Sequence, residues 1–206
     1  MKISFAVALL AVLAFSFPAL AAPAKSANSP AGQFVQRLGD TALLSLTKKD
    51  LPRKTRESRV REILRANFDV PIIGRFAMGT YWRQASESQR QEYLSLFEDM
   101  IVQTYTTRFE DYAGQTLKVE GSSAIDADDY IVKSQVIQKD GPPVGLEWRV
   151  HDKGGALKIV DVIVEGVSMS VTQRSDFSAT IQSGGGKVEA LLASLRERKK
   201  QAAQKT

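Results

Sequence analysis

The stretch from Ser86 to Gly114 constrains the fold of this chain more than any other, because it combines a marked start, a long apolar stripe and a marked stop. Ser86 with Gln89 three residues on has the pattern of a capping box, and Glu87 in the first turn suits the positive end of a helix dipole. Tyr93, Phe97, Ile101, Tyr105, Phe109 and Tyr112 then recur at steps of four or three, the spacing of one helix face, before Gly114 offers a left-handed stop. The spacing predicts a central helix whose apolar face packs into a core or, in part, lines a cavity.

The chain begins with Met1-Lys2 and an uncharged apolar run from Ile3 to Leu20, followed by the small residues Ala19-Leu20-Ala21. This is the pattern of a secretory signal peptide over residues 1–21, cleaved after about Ala21 and followed by a flexible leader over 22–32. Pro18 interrupts the apolar run and no charged stop-transfer flank follows, so a cleaved signal rather than a membrane anchor is expected. Removing 21 of the 206 residues leaves 185, enough for a single domain over 33–206 that buries a sizeable core without disulfides. The chain has no cysteine, which excludes thiol catalysis and cysteine-based metal sites.

Helical patterns precede the central helix: Phe34 to Asp50, a second from about Arg53, and a short one from about Pro71 to Met78. After Gly114 the apolar period falls to two. Thr116–Gly121, Tyr130–Gln138, Val144–His151 and Leu157–Glu165 read as four strands joined by polar or glycine turns. In the third, Val144, Leu146, Trp148 and Val150 alternate with Gly145, Glu147, Arg149 and His151. The fourth is apolar on both faces and contains Asp161, a charge that calls for a partner. Two helical patterns close the chain, about Ser168–Gln182 and from about Lys187 onward. Helices, meander and helices in that order describe an α+β domain, with helices packed on an antiparallel four-stranded meander sheet and an apolar cavity between them.

A catalytic reading finds little support. His151 is the only histidine and lies on the polar face of a strand. Asp126, Asp128 and Asp129 lack the spacing and glycine of a calcium loop, and Gly184-Gly185-Gly186-Lys187 lacks the flanks of a phosphate loop. No metal and no cofactor is expected. Between Lys48 and Arg65, eight basic residues stand against three acidic ones. Export argues against nucleic acid as their target, so Arg53, Arg56 and Arg59 are read as a docking face for an acidic partner or anionic headgroups.

Several segments together resemble one family: Phe68-Asp69-Val70-Pro71, Gly79-Thr80-Tyr81-Trp82-Arg83, Phe97 to Tyr112, Ile159-Val160-Asp161-Val162, Glu165-Gly166-Val167-Ser168 and Arg174-Ser175-Asp176-Phe177. They look like the toluene-tolerance, or MlaC-type, periplasmic lipid carriers, over almost the whole exported chain. The resemblance implies a soluble periplasmic protein that holds phospholipid acyl chains between sheet and helices. Such a protein shuttles lipid between an outer-membrane lipoprotein complex and an inner-membrane ABC transporter with its substrate-binding subunit. It also admits a hopanoid ligand, since some relatives accompany hopanoid-biosynthesis enzymes. The rival classes are a small α+β enzyme and an adaptor with a filled core.

Two acyl chains carry on the order of 30 methylenes, and at about 0.8 kcal/mol each their exposure to water costs about 24 kcal/mol, so a carrier must offer a dry cavity. The large apolar residues nearest the expected junction of helix and sheet are Phe97, Ile101, Tyr105, Trp148, Val150, Ile163, Val167 and Met169, and these are the expected lipid-binding residues. Asp161 is expected to be structural, with Arg174 as its partner.

Overall fold

A computed structural model describes residues 28–204. The expected signal peptide, residues 1–21, and the first part of the expected leader lie outside the described residues. The fold itself begins inside that leader: α1 (Pro30–Leu46) starts where Ser29 Oγ accepts from Gly32 N–H at 2.9 Å and Pro30 supplies a pre-set first turn. Then follow α2 (Arg53–Asn67), α3 (Val70–Met78, capped by Asp69), a short 3-10 turn over Gly79–Arg83, and α4 (Glu87–Glu110). Both halves of the capping box at Ser86 and Gln89 form, as their spacing predicts.

The sheet is an antiparallel meander in the order β1 (Thr116–Ala124), β2 (Asp129–Ile137), β3 (Val144–Lys153), β4 (Ala156–Val164), β5 (Val167–Ser168). It has five strands rather than the expected four. Glu165 and Gly166, both at positive φ, turn the chain back so that Val167 pairs with Val164, adding a two-residue strand too short to leave a periodic trace. Helices α5 (Met169–Ser183) and α6 (Val188–Gln204) complete the domain. Among the described residues no helix is long and apolar enough to cross a membrane.

Two apolar cores organise these elements. The larger is all-helical: Tyr93 and Phe97 of α4 stack at 5.7 Å between centroids, and Phe177 of α5 meets both edge-on at 5.8 and 6.0 Å. Leu191, Leu192 and Leu195 of α6 and Val60 and Leu64 of α2 close round them. The second core lies where α1 crosses the sheet, with Ala31, Val35 and Leu38 against Val132, Val150 and Ile159. Gly39 allows the close approach: a Cβ there would stand 2.6 Å from Leu117 Cδ2 of β1.

α4 therefore sits at the centre of the helical layer, between α2 and α6, and not on the sheet. Its inward residues are Tyr93, Leu96, Phe97, Val102 and Thr106, whereas Tyr105 is exposed beneath the Arg108 guanidinium, 5.6 Å from its ring. The reason is geometric. Each step of four residues turns about 40° past a full revolution, so by Tyr105 the predicted stripe has rotated about 120° from Tyr93 and left the core.

Candidate functional site

Residues directly opposite in an antiparallel pair share a face. The register places Trp148 opposite Val132 and Val162, Leu146 opposite Ser134 and Val164, and Val150 opposite Tyr130 and Ile159, all on the face that α1 covers. At one end that face is sealed: Val132, Val150 and Ile159 have no exposure. Towards the other end Leu146, Trp148, Val162 and Val164 stand half-exposed. The Trp148 indole N–H donates to Ser134 Oγ at 2.8 Å, which fixes the ring across the face. Val167 continues this surface from β5, opposite Val164, and Met169 follows it, both exposed.

The edge of this apolar surface is held by polar bonds. Glu165 N–H donates to Gly145 O at 3.0 Å, and its carboxylate accepts from Gly145 N–H, stitching the β4–β5 turn to the start of β3. Asp161 Oδ1 accepts from Val162 N–H at 2.9 Å and Ser170 N–H at 3.0 Å, and Oδ2 accepts from Ser168 Oγ at 2.6 Å. A carboxylate at the amino end of α5 also meets the positive end of the helix dipole. Asp161 is thus the anchor of α5. Its expected partner is corrected: Arg174 lies over the Phe76 ring, 5.4 Å from its centre.

The expected lipid-binding residues divide. Trp148, Val167 and Met169 fall on or beside the half-exposed surface. Phe97 is buried in the helical core and Ile101 packs against it. Tyr105 is on the outer side of α4, and Val150 fills the α1–sheet core. Ile163 is on the opposite side of the sheet, because it pairs with Glu147, itself beside Lys133 in a 2.9 Å ion pair. A β-bulge causes the last displacement: Arg149 pairs with Asp161 but Val150 with Ile159, so Val160 is skipped and the alternation shifts. That same shift puts Val162 and Val164 on the helix side together with Leu157 and Ile159. A recess of about 310 Å³ is lined by Leu146 and Ile163 together with Glu120, Lys133, Glu147 and Glu165, so charged groups surround its apolar contacts.

The basic run is also corrected. Arg56 is only 5% exposed; its Nε donates to Leu46 O and its Nη2 to Lys48 O, each at 3.0 Å, while Nη1 reaches Glu110 at 3.3 Å. Arg59 donates to Ser45 O at 2.7 Å, and Arg53 pairs with Glu110 at 2.7 Å. These side chains satisfy the open carbonyls at the end of α1 and tie α1, α2 and α4 together, so they are committed inside the fold. Further along, Arg61 bridges Glu98 and Asp99, and Lys199 of α6 reaches Asp99 at 2.7 Å. Burial works to raise both carboxyls, but hydrogen bonds from Arg65 and Arg61 to Glu98, and from Lys199 and Arg61 to Asp99, hold them below the usual carboxylate range. The Tyr93 hydroxyl donates to Gly74 O at 2.9 Å, and burial pushes its pKa up.

The His151 Nδ1–H donates to the Asp129 carboxylate at 2.9 Å on the polar side of the sheet, and among the described residues no cluster could hold a metal ion. What the helix-facing side offers is apolar contact with few polar groups. That chemistry suits a hydrocarbon ligand.

The chain matches the family model for the MlaC protein over residues 36–197. It is 28% identical over 114 residues to an intermembrane phospholipid transport system binding protein MlaC of Haemophilus influenzae, a match spanning 53% of this chain and 53% of that protein, about half the length of each. It is 25% identical over 182 residues to the toluene tolerance protein ttg2D of Pseudomonas putida, covering 87% of this chain and 84% of that one. Among solved structures, a phospholipid-binding protein from Ralstonia solanacearum in complex with a phospholipid superposes with a TM-score of 0.72 at 28% identity, over 83% of this chain and 97% of that chain.

Proposed function

This chain belongs to the MlaC family, and from that premise we propose that it is a periplasmic carrier that binds phospholipid by its acyl chains along the helix-facing side of the sheet. The observation that carries the reading is the half-exposed apolar surface of Leu146, Trp148, Val162 and Val164, in a fold shared with a protein solved around a phospholipid. Unsealed apolar area beside a fully sealed core is a cost to a ligand-free protein and an asset to one that takes up hydrocarbon. Phospholipid is favoured over a hopanoid because the similar proteins are named for phospholipid. Those names describe binding and transport, which supports a carrier over an enzyme.

The signal-peptide pattern over 1–21 supports export, followed by one lipid-binding domain that starts at α1, with Pro30 rather than residue 33. In this reading the cargo passes between an inner-membrane ABC transporter with its substrate-binding subunit and an outer-membrane lipoprotein complex. Mass spectrometry of lipid extracted from purified protein tests the proposal, with Leu146→Glu and Val150→Glu as paired variants. The first places a carboxylate where it reaches water, so the protein folds and loses its phospholipid. The second buries an unpaired charge in a sealed core at several kcal/mol and unfolds the domain. Wild-type protein free of lipid, or a folded Leu146→Glu variant with a full load, overturns the assignment.

A further inference from the structure

The outer faces of α3 and α5 form a surface that neither core nor the apolar site uses. On α3, Ile72, Arg75 and Phe76 follow at spacings of three and one, so Ile72 is a turn from both and the three share one side of the helix, while Gly74, Ala77 and Met78 turn inward. Ile72 is 45% and Phe76 41% exposed. On α5, Val171 and Arg174 lie three residues apart on a neighbouring stripe, and Val171 is 52% exposed. The two stripes join where the Arg174 guanidinium lies over the Phe76 ring. Gly79 leaves room for that contact: a Cβ there would stand 2.9 Å from Arg174 Nε, and its φ of 59° suits glycine alone.

Three large apolar side chains and two arginines thus alternate on one face, with no carboxylate among these stripe positions. Apolar residues scattered singly over a solvated surface need no explanation, but a contiguous set interleaved with cations does. The chemistry that satisfies both halves at once is the boundary of an anionic bilayer. Arginine forks meet phosphate oxygens, and the arginine stems and the Ile, Phe and Val side chains enter the upper acyl region. A protein partner would have to match both halves with an apolar patch ringed by carboxylates, whereas the boundary of an anionic bilayer supplies both anywhere on its surface. We propose that the α3–α5 face seats this protein on the surface of an anionic phospholipid bilayer. Both helices pack against β4, so a seated protein brings the edge of the apolar site close to the lipid. The proposal stands on the exposed faces and does not need the carrier reading.

Flotation with vesicles tests it, using phosphatidylcholine alone and phosphatidylcholine with about a third phosphatidylglycerol, at low and high salt. The wild-type protein floats with the anionic vesicles at low salt and is released by phosphatidylcholine alone or by salt. Each arginine near such a surface is worth about fivefold in partition, so Arg75→Glu with Arg174→Glu weakens flotation by at least about 25-fold. Ile72→Ser with Phe76→Ser weakens flotation with the anionic vesicles at low salt. The same charge change at two other exposed lysines, Lys54→Glu with Lys139→Glu, leaves flotation within about twofold, because those residues lie outside the face. Melting curves and extracted lipid are read on the same samples, so loss of docking is separated from loss of fold or cargo. Wild-type protein that stays in solution with every vesicle overturns the proposal, as does a lysine control that weakens flotation as much as the arginine pair. If wild-type protein fails to float while the face variants lose binding to another periplasmic protein, the face belongs to that protein and the bilayer proposal is overturned.

Discussion

Replacing Asp161 separates two accounts of what holds the edge of the apolar site. In the structure its carboxylate accepts from Ser170 N–H, Val162 N–H and Ser168 Oγ. Hydrogen bonds to a charged acceptor are worth about 1.5–3 kcal/mol each when buried, but this site is half-exposed and water takes over part of what is lost. Asp161→Ala is therefore expected to cost about 3 kcal/mol. Asp161→Asn keeps an oxygen for the two N–H donors and loses the charge facing the α5 dipole and one acceptor for Ser168, a cost of about 1 kcal/mol. In urea, with a slope of about 2 kcal/mol per molar, the alanine variant's midpoint falls by about 1.5 M and the asparagine variant's by about 0.5 M at unchanged slope. Arg174→Ala costs about 0.5–1 kcal/mol through its lost contact with Phe76, and its coupling to Asp161→Ala in a double-mutant cycle stays below about 0.5 kcal/mol. A coupling above about 1 kcal/mol would restore the Asp161–Arg174 pair and refute the reasoning. So would an alanine variant as stable as the parent.

Three further outcomes follow from the same structure. Arg56→Ala removes donors from Leu46 O and Lys48 O and leaves Glu110 with Arg53 alone, so it lowers stability by about 2–4 kcal/mol in a chemical melt, whereas Lys54→Ala, exposed on the same helix, stays within about 0.5 kcal/mol. Glu98 and Asp99 titrate below their unfolded values, so the stability they contribute is present above about pH 4.5 and is lost as pH falls below about 4; thermal midpoints fall in that window, and Lys199→Met shrinks the effect. Gly79→Ala forces a side chain into a positive-φ position against Arg174 and costs about 1–3 kcal/mol by urea melt.

Elements with local signals were legible. The Ser86–Gln89 box and the alternation of Val144 to Val150 each report a short-range constraint, and the long strands and the helices from α2 onward lie close to where their patterns place them, whereas α1 starts at Pro30, inside the stretch read as a leader. The site was less legible because its walls depend on register and on which helix lies on the sheet. One skipped residue, Val160, moved Ile163 to the polar side and brought Val162 and Val164 to the apolar one; Leu146 was visible in the alternation but not in its exposure. A drift of about 40° per four-residue step took Tyr105 out of the core. The arginines of α2 read as a solvent-facing run because the carbonyls they serve, at Ser45, Leu46 and Lys48, carry no mark in the sequence.

The placement of the ligand is tested most directly by photo-cross-linking with a phospholipid that carries a photoreactive group midway along an acyl chain, followed by peptide mapping. The account predicts labelled residues in β3, β4 and β5, at Leu146, Trp148, Val162, Val164 or Val167, and labelling that unmodified phospholipid competes away. Label concentrated on Phe97 and Ile101 of α4, or on Glu147 and Ile163 across the sheet, would contradict it.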